Sequence, residues 1–228
     1  MTLVGNIPDD CLQVIVVTAD SFESTEGTLS VLWRDKSDLT TWNTEKENLH
    51  AFLGENGIGR AIDDSKQTPV GSFPLGQSFG HSANPKITMG DYFVARHNDF
   101  WDTGWKHWLI EIAKGAPVDS TYNTCVHQDP GHEAERIGPN APGGKDPENA
   151  QYNYAILVDH NPENQPGFGC AIFLHTDADE SPTWGCIAID EDELRETLEW
   201  LTPESKPYLS VIVEDPEWDD IPECRTDD

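Results

Sequence analysis

His175 and Cys186 stand at the two ends of one polar loop in the stretch AIFLHTDADESPTWGCIAID, residues 171–190. A cysteine attacks carbonyls as its thiolate, and an imidazole within reach is the side chain best suited to take the proton near neutral pH. Gly185, directly before the cysteine, can take backbone angles that leave neighbouring N–H groups aimed at a developing oxyanion. Cys186 also precedes a helix start, whose positive end favours a thiolate. The pattern is that of nucleophilic acyl transfer. The bland alternatives are a thiol packed in the core and a histidine satisfied at a strand end.

Strands must position this pair. GFGCAIFLHT carries His175 at the end of an apolar run, and YNYAILVDHN before it reads as a neighbouring strand across the turn-rich NPENQPG. After Cys186, Asp190 caps a helix, Glu193 completes a capping box, and Leu194, Leu198 and Leu201 share one face. Upstream, CLQVIVVTA and GTLSVLWRD form a hairpin, and TPVGSFPLGQSFG is a short strand leaving a tight turn. Residues 44–52 suit a short helix broken by glycines at 54, 57 and 59; FWDTGWKHWLIEIA suits a strand or sheet edge; residues 127–151 suit a long surface loop. YLSVIVED closes the domain. The expected organisation is an extension over 1–10, one mainly β domain over 11–214, and an acidic tail over 215–228.

Composition narrows the partners. Forty-two acidic against fourteen basic residues give a net charge of -28, which disfavours nucleic acid and anionic membrane surfaces. No apolar run is long enough to span a membrane, and the first ten residues lack the cationic and apolar regions of a secretory signal. Five cysteines without CxxC spacing fit neither a disulfide framework nor a four-cysteine zinc site, so at least one thiol is expected to be free. Cys125, His127 and His132 have metal-ligand types, but three ligands on a loop make a weak zinc site. Cys170, five residues before His175 on the same expected strand, falls on the opposite face and reads as packed. Trp101, Trp105 and Trp108 suit either a core or a sugar-gripping surface. The runs DEDE and EDPEWDD read as solvated faces.

The segment IFLHTDADESPTWGCIAI resembles the signature of the L,D-transpeptidase catalytic domain family, the YkuD type, in which a histidine ends one strand and a cysteine follows in an S/T-x-G-C-I/V motif. LQVIVVTA, a KxTPxGxF block within GIGRAIDDSKQTPVGSFPLGQSFG, Tyr122-Asn123, DHNPENQPGFGCAIFLH and LEWLTPESKPYLSVIV resemble further blocks in the same order. The resemblance implies a mainly β, sandwich-like catalytic domain with a few short helices. It implies a thiol acyl transferase acting on peptidoglycan stem peptides, whose thioester is resolved by an amine, giving a cross-link between third-position residues, or by water. Carried over by residue, Cys186 is the nucleophile, His175 its base, and Gly185 with Cys186 the source of oxyanion donors. Thr183, Trp184, Tyr122 and Asn123 fall in the substrate-binding set. No cofactor and no metal are called for; carbapenems are the expected inhibitors, a monomer the expected state, and a secreted or cell-envelope setting the expected location. A wall-damaging hydrolase or exchange enzyme and a non-catalytic wall-binding relative are the alternatives. Two departures stand out: Trp184 replaces the usual histidine before Gly-Cys, and Ala188 replaces an arginine, leaving Arg60 or Lys66 to meet a substrate carboxylate.

Overall fold

Alternation of β-branched residues sets the frame of the molecule. In the computed structural model, which describes residues 7–83, 86–115, 120–140 and 147–214, the chain runs from β1 (Gln13–Ala19) through the long hairpin β2 (Glu26–Asp35) and β3 (Asp38–Phe52). Two short strands, β4 (Ile58–Gly59) and β5 (Thr68–Pro69), lead into β6 (Gly71–Gly80) and β7 (Phe93–Val94). A small sheet of β8 (Phe100–Asp102), β9 (Cys125–Val126) and β10 (Ala134–Arg136) is interrupted by helix α1 (Trp105–Ala113). A 3-10 turn over Pro147–Tyr152 precedes β11 (Ala155–Val158), β12 (Phe173–Thr176) and β13 (Ile187–Ile189), and α2 (Glu191–Trp200) and β14 (Tyr208–Val213) complete the chain.

The main sheet runs β11-β12-β13-β3-β2-β1-β14-β6-β7, and β11 also pairs with β6. That last pairing closes the sheet on itself, so most of its strands have no free edge. The mainly β class expected from the sequence is what the structure has, with the sandwich-like layers joined into a barrel. Period-2 alternation sorts the side chains: Ile15 and Val17 of β1 enter the main core while Val14 and Val16 face a separate outer cluster. The same rule acts at β12. Leu174 enters the main core with Ile187 and Ile189 of β13, and Phe173 faces a second cluster with Phe79, Trp101, Tyr152 and Cys186.

Several expectations are corrected. Residues 44–52 belong to β3, not to a helix: cross-strand pairing with β2, from Glu26↔Phe52 to Asp35↔Asp38, outweighs the local preference of a mostly exposed polar segment. FWDTGWKHWLIEIA divides into β8 and α1, because Asp102 ends the strand by accepting the Gly104 N–H at 2.9 Å and the Trp108 indole N–H at 2.9 Å. The 127–151 segment is not wholly loop, since Ala134–Arg136 pairs with β8. Cys170 is not on the strand of His175: Gly169 and Ala171 both have positive φ, so the strand begins only at Phe173. Helix α2 forms where expected, with Asp190 Oδ1 accepting the Asp192 and Glu193 N–H groups at 2.9 and 3.1 Å. The Glu193 side chain turns instead to Lys46 Nζ at 2.5 Å. Residues 1–6 of the expected extension, Cys224 and the acidic tail 215–228 lie outside the described residues.

Candidate active site

β12 and β13 run parallel, with Leu174↔Ile187 and His175↔Ala188 in register. Alternation therefore puts Phe173 and His175 on the same sheet face as Cys186 and Ala188, away from the main core. Both site residues are nearly buried, His175 at 8 % and Cys186 at 9 % exposure. The thiol donates to the Ala171 carbonyl at 3.2 Å and accepts the Phe173 N–H at 3.3 Å. A carbonyl can only accept, so His175 Nδ1, 2.9 Å from the Thr176 oxygen, carries the ring proton and Nε2 is left bare. Among the described residues no hydrogen bond joins the two side chains directly. Their protonation is set by burial: desolvation lowers the His175 imidazole below its usual range, and desolvation together with the charge of Glu135 raises the Cys186 thiol. The resting pair is a neutral imidazole and a neutral thiol.

The Cys186 carbonyl is clamped from two sides. Thr183 Oγ1 donates to it at 2.7 Å and Thr68 Oγ1 at 3.2 Å. Thr68 in turn accepts the Gly54 N–H at 2.8 Å, and Thr183 is tied to the end of β3 through Thr183 N–H to Leu53 O at 2.7 Å. Gly185 sits at φ +122°, and a Cβ there would come within 2.9 Å of the Gln67 carbonyl, so both the backbone angle and the space require glycine. Its N–H is already taken by Thr183 Oγ1 at 3.1 Å. Among the described residues the Cys186 N–H makes no turn or loop hydrogen bond, so it is a candidate backbone donor at this position.

Trp184 lies at the surface with 77 % exposure. Lys66 Nζ sits 4.6 Å from the centre of its ring and 2.5 Å from Glu55 Oε1, so of the two cations considered for a substrate carboxylate Lys66 flanks the cysteine loop. Arg60 is exposed.

Tyr122 and Asn123 lie beneath the site, both buried. The Tyr122 hydroxyl donates to Asp63 at 2.7 Å, and the same carboxylate accepts Gly167 N–H at 2.9 Å, Gly169 N–H at 3.1 Å and the Cys170 thiol at 3.3 Å. Asn123 Oδ1 accepts the Trp101 indole N–H at 2.9 Å and the Ala171 N–H at 3.0 Å. Together they fix the bend over 169–171 whose carbonyl receives the Cys186 thiol. Trp101 is core, stacked on Phe79 and edge-on to Phe173, while Trp108 binds Asp102. Cys125, His127 and His132 do not converge: His127 pairs with Asp99 at 2.8 Å, His132 with Asp102 at 2.9 Å, and the Cys125 thiol packs against the second cluster with its pKa raised to about 11 by burial.

Four residues at the site escaped sequence reasoning. Thr68 lies in the KxTPxGxF block and Asp63 just before it, so position in that block was the available signal. Tyr152 opens the YNYAILV run, and its ring packs against Phe79, Phe173 and His175. Glu135, which accepts the Tyr152 hydroxyl, lies in a segment whose composition reads as loop. Among curated proteins none matches the chain. The family model described as the L,D-transpeptidase catalytic domain, YkuD, matches residues 14–213. The match takes in both strands of the site and the loop between them, and the chain belongs to the YkuD L,D-transpeptidase catalytic domain family.

Proposed function

We propose that this protein is a cysteine acyl transferase of the cell envelope that acts on peptidoglycan stem peptides through a thioester on Cys186. The observation that carries the proposal is the His175 Nδ1 contact to the Thr176 carbonyl, which leaves Nε2 as a bare acceptor on the sheet face of the thiol. Because both groups rest neutral, proton transfer accompanies attack. As sulfur bonds to the substrate carbonyl carbon, its proton passes to His175 Nε2, and the carbonyl π electrons move onto oxygen opposite the Cys186 N–H. When that oxyanion collapses, the C–N bond to the D-configured fourth residue breaks and the imidazolium returns its proton to the leaving amine. The thioester then accepts an amine of a second stem, giving a cross-link, or water, giving a shortened tripeptide. In either case His175 takes the proton of the attacking group and the sulfur leaves with it, restoring the thiol. Purified tetrapeptide muropeptides incubated with the protein and read by mass spectrometry test this. A cross-linked dimer or a tripeptide is the expected product, and unchanged substrate overturns the proposal in favour of a wall-binding relative.

A further inference from the structure

Helix α1 is held to the molecule at few points. None of its nine residues is buried, and Leu109, Ile110 and Ile112 are exposed. Its anchorage gathers on Asp102, a fully buried carboxylate of β8 that accepts the Gly104 N–H, the Trp108 indole N–H and the His132 Nε2–H, each at 2.9 Å, and the Thr121 hydroxyl at 2.6 Å. Burial alone would raise its pKa, but the hydrogen bonds from Thr121, Gly104, Trp108 and His132 hold it below the usual carboxylate value, so Asp102 stays charged. The His107 ring of α1 stacks on that of His132, with ring centres 4.2 Å apart and planes 9° from parallel. A further tie, the exposed pair of Lys106 with Asp64 at 3.0 Å, contributes little.

Imidazoles are the side chains that change charge between about pH 5 and 8. The first proton goes to His132, which faces the Asp102 carboxylate, and a neutral His107 ring can lie on the face of that imidazolium. The second proton, on His107, sets two like charges one ring-stack apart. Compensation from the surrounding charges is small. Glu111, one turn along α1, is already paired with Lys114 at 2.8 Å; Glu133, beside His132, is exposed and acts on Lys106; Lys106 itself adds a positive charge next to His107. A docked α1 therefore takes the second proton less readily than a released one, so falling pH favours release. Asp102 also carries the turn behind the site: besides the Thr121 hydroxyl on its side chain, its backbone carbonyl accepts the Asn123 N–H at 2.8 Å. Asn123 in turn holds the bend whose Ala171 carbonyl receives the Cys186 thiol. We propose that the His107–His132 stack on Asp102 is an acid-sensitive latch, which holds α1 against the small sheet near neutral pH and frees it when both rings carry protons, loosening the turn over residues 121–124. The latch stands apart from the acyl-transfer proposal, because it acts without substrate.

Hydrogen exchange of the full chain, read by mass spectrometry at about pH 7.5 and about pH 5 and corrected for the intrinsic pH dependence of exchange, tests the latch. In wild type the amides of residues 105–113 and 121–124 should lose protection by about tenfold or more at the lower pH, while β1 and β14 keep theirs. His107→Gln, which cannot take the second proton, should keep α1 protected at both pH values. His107→Lys, charged throughout, should expose α1 already at about pH 7.5, and this arm decides the matter even where the glutamine variant fails to fold. Equal protection of residues 105–113 at the two pH values in wild type overturns the latch, as does an acid response that survives in His107→Gln or a His107→Lys helix as protected as wild type. Loss of protection in β1 and β14 together with α1 means that acid unfolds the whole domain, and overturns the latch as well.

Discussion

Thr183 Oγ1 donates to the carbonyl oxygen of Cys186 at 2.7 Å while accepting the Gly185 N–H at 3.1 Å, so one hydroxyl fixes both peptide units next to the thiol. Thr183→Val keeps the shape and removes both bonds. Turnover should fall by about tenfold or more, with Thr183→Ser close to wild type, because one to two hydrogen bonds orient the reacting group. Steady-state kinetics on tetrapeptide checks this, and full activity in the valine variant rules out the clamp.

Cys186→Ala should abolish turnover, by about 10³-fold or more, with the fold intact. The side chain is small and removes only one sulfur from a cluster dominated by Phe79, Trp101 and Phe173. Circular dichroism and thermal melting separate loss of chemistry from loss of structure.

The neutral resting pair makes a pH prediction. On the proposed mechanism His175 is the base and must be unprotonated, and burial lowers its pKa below the ordinary 6.5, so the acid limb of activity should lie below pH 6.5. Burial raises the thiol above its ordinary 9.0, so iodoacetamide labelling of Cys186 in the free protein should climb on the alkaline side with no plateau near neutrality. A neutral-pH plateau reveals a preformed thiolate and contradicts the neutral pair. In His175→Gln the labelling profile should stay alkaline while turnover collapses, since the base acts during attack.

A carbapenem presents a strained carbonyl to the same thiol, and its ring opening needs the same oxyanion donor. Intact-protein mass spectrometry after incubation with imipenem or meropenem should show one covalent adduct, absent in Cys186→Ala. The exposed Trp184 indole stands two residues before the thiol in the chain, and Trp184→Ala is expected to speed adduct formation. Turnover of muropeptides without any adduct means that the cleft excludes bicyclic ligands.

Asp63 gathers the Tyr122 hydroxyl, two glycine N–H groups and the Cys170 thiol on one carboxylate. Asp63→Asn replaces one acceptor oxygen with a donor and should destabilise the protein by about 2 kcal/mol, the range for breaking charge-assisted hydrogen bonds that hold half-buried groups. Urea denaturation gives the number. Cys170 should become easier to alkylate in the variant, because the charge of Asp63 adds to burial in raising its pKa.

The amino-acid sequence by itself singled out the candidate pair and determined the elements with strong local signals. His175 at the end of FLHT, Gly185-Cys186 before a capped helix, and the alternating runs of β1 and β14 are legible because capping, β-branching and glycine act over a few neighbouring residues. Residues 44–52 and 134–136 were misread because their strands exist only through partners, β2 for one and β8 for the other, and a polar exposed segment carries no apolar period of its own. The protonation of the site was equally beyond the sequence. Which atoms of His175 and Cys186 are covered, that the Thr176 carbonyl selects the histidine tautomer, and that Glu135 and Tyr152 stand beside the thiol depend on strands distant in the chain closing over one sheet face. Desolvation and charge act through space, so only the tertiary structure decides them.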